Sequence, residues 1–242
     1  MLDIMKPLPT LEEADLTKLP DLTDLSGSLA DRVYVALKTA ILTLDFLPGV
    51  PLRKSEICAQ LGVSRSPVSE AMTKLSGEGL VDILPQSGTR VSRLSMAGIR
   101  EDVFLREALE VAAARHAALN RSEEVVARLQ RNVEMQKLLV ADADGDDFFL
   151  TDIAMHEMIM ATTGMNRLPI TVRLLSSNVD RARLLLVPDR ARLAETVDEH
   201  IVLVEAIREQ NAPGAEEAMR HHVRQLIKRL QPLEAARPDL FT

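Results

Sequence analysis

At 242 residues the chain exceeds most single-core domains, and its 46% hydrophobic but only 2% aromatic residues call for cores of Leu, Val, Ile, Ala and Met, so a mostly α protein of two domains is predicted. The single cysteine, Cys58, excludes an internal disulfide and leaves nitrogen and oxygen to hold any metal, while the lack of an apolar run of about 18 residues or of a secretory leader pattern predicts a cytoplasmic protein with no membrane partner. A net charge of −7 speaks against nucleic acid as a partner, yet residues 26–93 carry eight Lys/Arg against six acids, whereas residues 1–25 are net −4 and residues 94–242 net −5.

In chain order, residues 1–25 are rich in proline and acids without a sustained period and read as a flexible N-terminal arm. A helix follows from Ser28, because Leu29, Val33, Leu37, Ile41 and Leu44 recur as one apolar stripe until "LPGVP" (47–51) stops it. A short helix through "SEICAQLG" ends at Gly62, suited to the left-handed position beyond a helix C-terminus. In "VSRSPVSEAMTKLSGEGL" Ser66 is placed to cap and Pro67 to take the first helical position. Two β-prone runs, Val81 to Leu84 and Thr89 to Arg93, flank the turn-forming PQSG and predict a hairpin. From Gly98 onward the pattern is helical, broken at 141–147, 163–169, Pro188 and 211–214, which predicts five or six antiparallel helices in an all-α bundle. The expected domains are the arm (1–25), a winged helix-turn-helix domain (26–94) and a helical metal- and effector-binding domain (98–233).

Helices followed by a hairpin, in this order, suit a DNA reader: a helix fits the major groove, its N-terminal residues reach base edges, and basic or backbone donors hold phosphates. Ser64, Arg65 and Ser66 open the second helix of the motif, where the dipole already favours phosphate. Arg90 follows the hairpin turn and is placed for a minor groove or phosphate; Arg53 and Lys54 precede the motif's first helix and are placed for the DNA backbone. Such units also serve as pure packing elements, and the order alone leaves both readings open.

"AQLGVSRSPVSEAMTKLSGEGLVDILPQSGTRV" resembles the signature of GntR-type bacterial transcription regulators: leucine, glycine, valine, serine, arginine, Ser/Thr, proline and valine, then a helix ending in "EGL", a proline and a glycine-tipped wing. The resemblance implies binding to double-stranded operator DNA. The family usually has Arg at the position of Ser69, an operator contact, and Lys or Arg at that of Ser55; Arg65, Lys74 and the N-terminal arm are expected to compensate.

In "TDIAMHEMIM", Asp152 and His156 lie one turn apart on a helix, about 6 Å from each other and facing the same way, so a single cation or a plain surface hydrogen bond would satisfy them. His200 sits among Val197, Ile201, Val204 and Ile207, and His222 shares a face with Met219, Val223 and Leu226, so both point inward, where an unpaired imidazole needs a partner. One carboxylate and three imidazoles suit a divalent ion, zinc first, with nickel, manganese or iron as alternatives. His116 reads as a core or pocket-lining residue, and His221 as facing water.

These four residues resemble the ligand set of the all-α C-terminal (FCD) domain of the FadR-like GntR subgroup, in which Asp-x3-His is followed by two further histidines at steps matching 156 to 200 and 200 to 222. The resemblance implies that a small organic acid completes the coordination, assisted by an Arg on the domain's first helix; Arg106 of "FLREALEVAAARHAA" stands there, with Glu110 one turn later and Asn178 as a further pocket candidate. The expected protein is a homodimeric regulator, a repressor, controlled by that acid, and not an enzyme. A metal-sensing regulator and a metallohydrolase are the rival readings.

Overall fold

The Ser28 hydroxyl accepts from the Asp31 amide (3.1 Å) and donates to its carboxylate (2.7 Å), which starts α1 (Leu29–Leu42). Val33, Leu37 and Ile41 of the expected stripe are buried, whereas Leu29 stays at the surface and Leu44, with a positive φ, belongs to the following turn. Among the residues that this computed structural model describes, 14–187 and 189–242, α1 belongs to a unit made of residues 14–96 and Glu234–Thr242; Ala97–Leu233 form the other.

In the first unit α2 (Lys54–Leu61) ends on Gly62, whose φ of 64° is the left-handed cap its sequence predicts. α3 (Arg65–Gly77) begins earlier than expected: Ser64, not Ser66, is the N-cap residue, and Pro67 is buried inside the first turn. Ser66 turns its hydroxyl to Glu70 (2.9 Å) instead. β1 (Val81–Leu84) pairs antiparallel with β2 (Gly88–Val91), Val81 opposite Val91. The second strand thus ends before Arg93, because the Ser92 amide turns to the Leu80 carbonyl (3.0 Å). Leu47 to Leu52 do more than stop a helix: the Gly49 and Leu52 amides donate to Val91 (2.9 Å) and Thr89 (2.8 Å), laying this segment along β2.

Two terminal segments carry structure that the sequence pattern does not announce. Residues 1–13 of the expected arm lie outside the described residues, and residues 14–25 form two short turns packed on the first unit. Asp15 and Asp21 accept from the Thr17 (3.1 Å) and Thr23 (2.8 Å) amides, fixing 3-10 turns that carry Leu19 and Leu22 into the core. At the other terminus a 3-10 turn, Pro238–Leu240, leads Phe241 to bridge Leu94; Leu94 donates to Leu240 and Thr242 to Leu94, both at 2.9 Å, and Leu240 and Phe241 are buried.

The second unit is all helical: α4 (Met96–Asn120), α5 (Glu123–Ala141), α6 (Gly145–Ala161), α7 (Arg167–Leu175), α8 (Ser177–Leu184), α9 (Arg190–Arg208) and α10 (Ala212–Ala236). Two breaks go beyond those predicted. Ser122 caps α5 by accepting from Val125 (3.2 Å), and the Ser176 hydroxyl donates back to the Val172 carbonyl (2.7 Å) where α7 gives way to α8. Both are serine effects without glycine or proline, so hydrophobic periodicity alone runs through them.

Candidate functional site

α6 presents Asp152 and His156 on its buried face, α9 presents His200 and α10 presents His222; one ligand atom from each lies within 4.8 Å of all the others. His222 Nε2 stands 3.2 Å from His156 Nε2 and 3.4 Å from His200 Nε2, and His200 Nε2 is 3.4 Å from Asp152 Oδ1. The opposite ring nitrogens all face outward onto acceptors: His156 Nδ1 donates to Glu110 Oε2 (2.5 Å), His200 Nδ1 to Gln136 Oε1 (2.7 Å) and His222 Nδ1 to Glu199 Oε2 (2.8 Å). Gln136 is itself oriented, because its amide donates to Asn132 Oδ1 (2.8 Å) and Asn132 donates to the Thr151 carbonyl (2.9 Å).

With Nδ1 protonated, a neutral imidazole leaves an unprotonated lone pair on Nε2. Three Nε2 atoms and a carboxylate therefore face one another, an arrangement that a cation relieves. Burial, then the neighbouring imidazoles, pushes the His200 pKa well below the usual range; burial and His156 do the same to His222. Both oxygens of Asp152 are buried without a hydrogen-bond donor, and the Arg183 guanidinium meets their charge as an ion pair. A buried carboxylate that accepts no well-formed hydrogen bond and three converging nitrogens fit a divalent ion with N/O preference.

Arg106, buried on α4, donates to Glu110 Oε1 (2.7 Å), so guanidinium, carboxylate and His156 form one chain. Burial alone would raise the Glu110 pKa, but Arg106 and His156 hold it well below the usual carboxylate range. Two cavities adjoin this chain. One, of about 380 Å³, is lined by His156, Arg173, Ser176 and Asp180; the other by Asp152, His222, Arg192 and Arg229 with Phe148 and Leu226; Arg106 and Arg183 line both. Burial raises the Asp180 pKa to about 6, and burial together with Arg106 lowers that of Arg183 to about 9. Asn178 lines neither cavity; its amide serves Asp102 and Arg181. His116 stays half-buried away from the centre, and His221 is exposed beside Gln225.

In the first unit Ser64, Arg65 and Ser66 are exposed at the N-terminus of α3, and the Ser64 hydroxyl makes no capping bond. Arg53, at the N-cap position of α2, reaches Glu56 (3.0 Å). Lys54 Nζ donates to Ser69 Oγ (3.4 Å), which sets a cation beside the position where the sequence lacks one. Arg90 faces Asp82 across the hairpin (3.4 Å). Lys74 lies at the other end of α3, 3.6 Å from Asp31 and 3.9 Å from the Tyr34 ring centroid.

Residues 29–91 match the profile of "Bacterial regulatory proteins, gntR family", and residues 103–225 that of the FCD domain. The chain is 34% identical over 209 residues to an uncharacterized HTH-type transcriptional regulator in an unstable DNA locus of Streptomyces ambofaciens, covering 86% of this chain and 88% of that one. The protein belongs to the GntR family of regulators. It is also 29% identical over 211 residues to the HTH-type transcriptional repressor RspR of Escherichia coli K12, covering 87% of this chain and 92% of RspR. Its fold is similar to that of E. coli McbR/YncC, with a TM-score of 0.69 at 21% identity over 86% of this chain and 99% of that one. As a GntR regulator it binds operator DNA and is not an enzyme, which removes the metallohydrolase reading. No helix among the described residues is long and apolar enough to cross a membrane.

Sequence reasoning missed four residues of this regulator's centre: Gln136, Glu199, Asp180 and Arg183. Gln136 carried a signal, being a polar residue on the apolar face that α5 builds from Leu129 and Val133. Arg183 sits in "RARLLLV", where nothing local marks it as turned inward.

Proposed function

We propose that this GntR regulator is a homodimeric repressor that binds a small organic acid at a divalent-metal centre, zinc first among zinc, nickel, manganese and iron, and then releases its operator. One observation carries the reading: three Nε2 atoms and Asp152 converge while each Nδ1 is tied outward. Asp152, His156, His200 and His222 would hold the ion, and the ion, when bound, supplies open positions for an anionic oxygen. Arg106, fixed by Glu110 and facing both cavities, orients the carboxylate by charge-assisted hydrogen bonds. Repression rather than activation follows the named relative RspR.

On the DNA side, Arg65 reads base edges, Ser64 and Ser66 hold phosphate at the N-terminus of α3, and Arg53, Lys54, Ser69 and Arg90 add contacts around it. A 100-fold change in operator occupancy requires the acid to discriminate between two states by about 2.7 kcal/mol, within reach of one charge-assisted contact and a metal bond. The test is metal analysis of the purified protein, followed by operator titration at fixed salt with a carboxylate panel, in wild type and His200→Ala. Stoichiometric metal in wild type, lost in the variant together with the acid response, supports the reading. A protein that holds no metal after incubation with zinc overturns it, and operator release by metal alone, without any acid, favours a metal sensor.

A further inference from the structure

Two guanidiniums, Arg106 and Arg183, face three carboxylates, Glu110, Asp152 and Asp180, around the centre. Three further arginines that line the cavities have carboxylate partners of their own: Arg173 pairs with Glu157, Arg192 with Asp189 (2.7 Å) and Arg229 with Glu199 (2.6 Å). A divalent ion at Asp152 adds two positive charges to the inner set, directly beside the Arg183 guanidinium. Asp152 is the pivot, since its side chain is only 1% exposed and both the imidazoles and Arg183 converge on it.

Arg183 has somewhere to go. Its guanidinium meets Asp152 as a direct ion pair, Nη2 against Oδ2. One helical turn earlier Asp180 Oδ1 stands 3.4 Å from its Nη1, the Phe149 ring lies 5.0 Å from its Cζ, and the side chain borders both cavities. Resting on the metal reading above, we propose that Arg183 is a resident counter-ion which competes with the divalent ion for Asp152 and which, once displaced, leans on Asp180 and turns its free N–H groups to an anionic ligand in the cavity. Two like charges beside one buried carboxylate repel strongly in so dry a site, so the guanidinium lowers metal affinity in the absence of an anion. An anion between ion and guanidinium reverses that sign, which makes metal and anion binding mutually reinforcing.

The probe is Co²⁺ alone, titrated into metal-free full-length protein against a competing chelator, with d–d absorption as the readout. Arg183→Gln is expected to bind Co²⁺ at least about tenfold more tightly than wild type, and Arg183→Lys to stay within about threefold. Arg173→Gln, which removes a cation from the same cavity but not from Asp152, is expected to leave affinity unchanged. Arginine side-chain NMR gives a second reading on folded wild type: the Arg183 Nε–Hε signal, assigned with Arg183→Lys, moves when Zn²⁺ is added. Equal or weaker Co²⁺ binding by Arg183→Gln, equal tightening by Arg173→Gln, or an unmoved signal overturns the proposal while leaving the metal centre intact. A wild-type protein that binds no Co²⁺ removes both.

Discussion

In the N-terminal unit, cations stand at the surface and meet one or two partners on neighbouring elements: Lys54 reaches Ser69, Arg90 reaches Asp82, and Lys74 reaches Asp31 and the Tyr34 ring. In the C-terminal unit, Arg106, Glu110, Asp152 and His200 are shut away from water and joined in one network. Solvent screens the first kind of pair, so each contributes little to stability and can be given up to a phosphate. The second kind is unscreened, and changing one member disturbs all the rest. A surface that exchanges partners freely suits a DNA reader, whereas a buried set that tolerates few charge states suits a sensor.

The sharpest way to break this contrast is His200→Ala. Removing one of four ligands should weaken zinc binding by roughly 10² to 10³-fold, about 3–4 kcal/mol, a quarter of the 10–16 kcal/mol of a complete protein site. Operator affinity without acid should be unchanged; a chelator competition showing equal zinc affinity would mean that the imidazoles do not act together. Next in size is Phe241→Ala, which empties a buried site in the N-terminal unit and should cost about 3 kcal/mol there. Tyr34 is the sole tyrosine and tryptophan is absent, so its fluorescence follows unfolding of that unit in urea. An unshifted midpoint would show that the C-terminal tail is not part of the DNA-reading core.

These two residues also mark how far the sequence can be read. The winged unit was legible because its signals are contiguous: the serine before α3, Gly62 after α2 and the alternating strands each act over a few residues. The four candidate metal ligands were legible because each lies on an apolar helical face, where a polar group must find a partner. The tail, the packed 14–25 segment and Arg183 were not. Phe241 pairs with Leu94, about 150 residues away, and Arg183 lies on a short helix that follows a break at Ser176 which no glycine or proline announces.

A smaller effect separates the units by pH. In the metal-free fold His200 and His222 are held neutral with lowered pKa values, while the unfolded chain takes up protons near pH 6.5. Stability is therefore complete above that pH and falls below it by about 1.4 kcal/mol per pH unit for each imidazole. Asp180, raised to about 6, binds a proton more readily when folded and offsets one imidazole between about pH 6 and 4. Circular dichroism in urea should show a lower midpoint at pH 5.5 than at 7.5, and zinc should restore it; identical midpoints would count against buried neutral imidazoles.

On the DNA side, Arg65→Ala should weaken operator binding by about 1–3 kcal/mol in a titration at fixed salt, since Arg65 is exposed at the first residue of α3. Lys74→Ala should barely register. Lys74 lies in the last turn of α3, where Asp31 and the Tyr34 ring hold its ammonium and the helix dipole no longer favours an anion. The same side chain adds a cation–π contact, so the change should lower stability of the N-terminal unit by about 0.5–1 kcal/mol while operator affinity stays within about twofold. A loss as large as that of Arg65→Ala would show that Lys74 leaves Asp31 for a phosphate, and that the missing cation at Ser69 is replaced from the far end of the helix and not by Lys54.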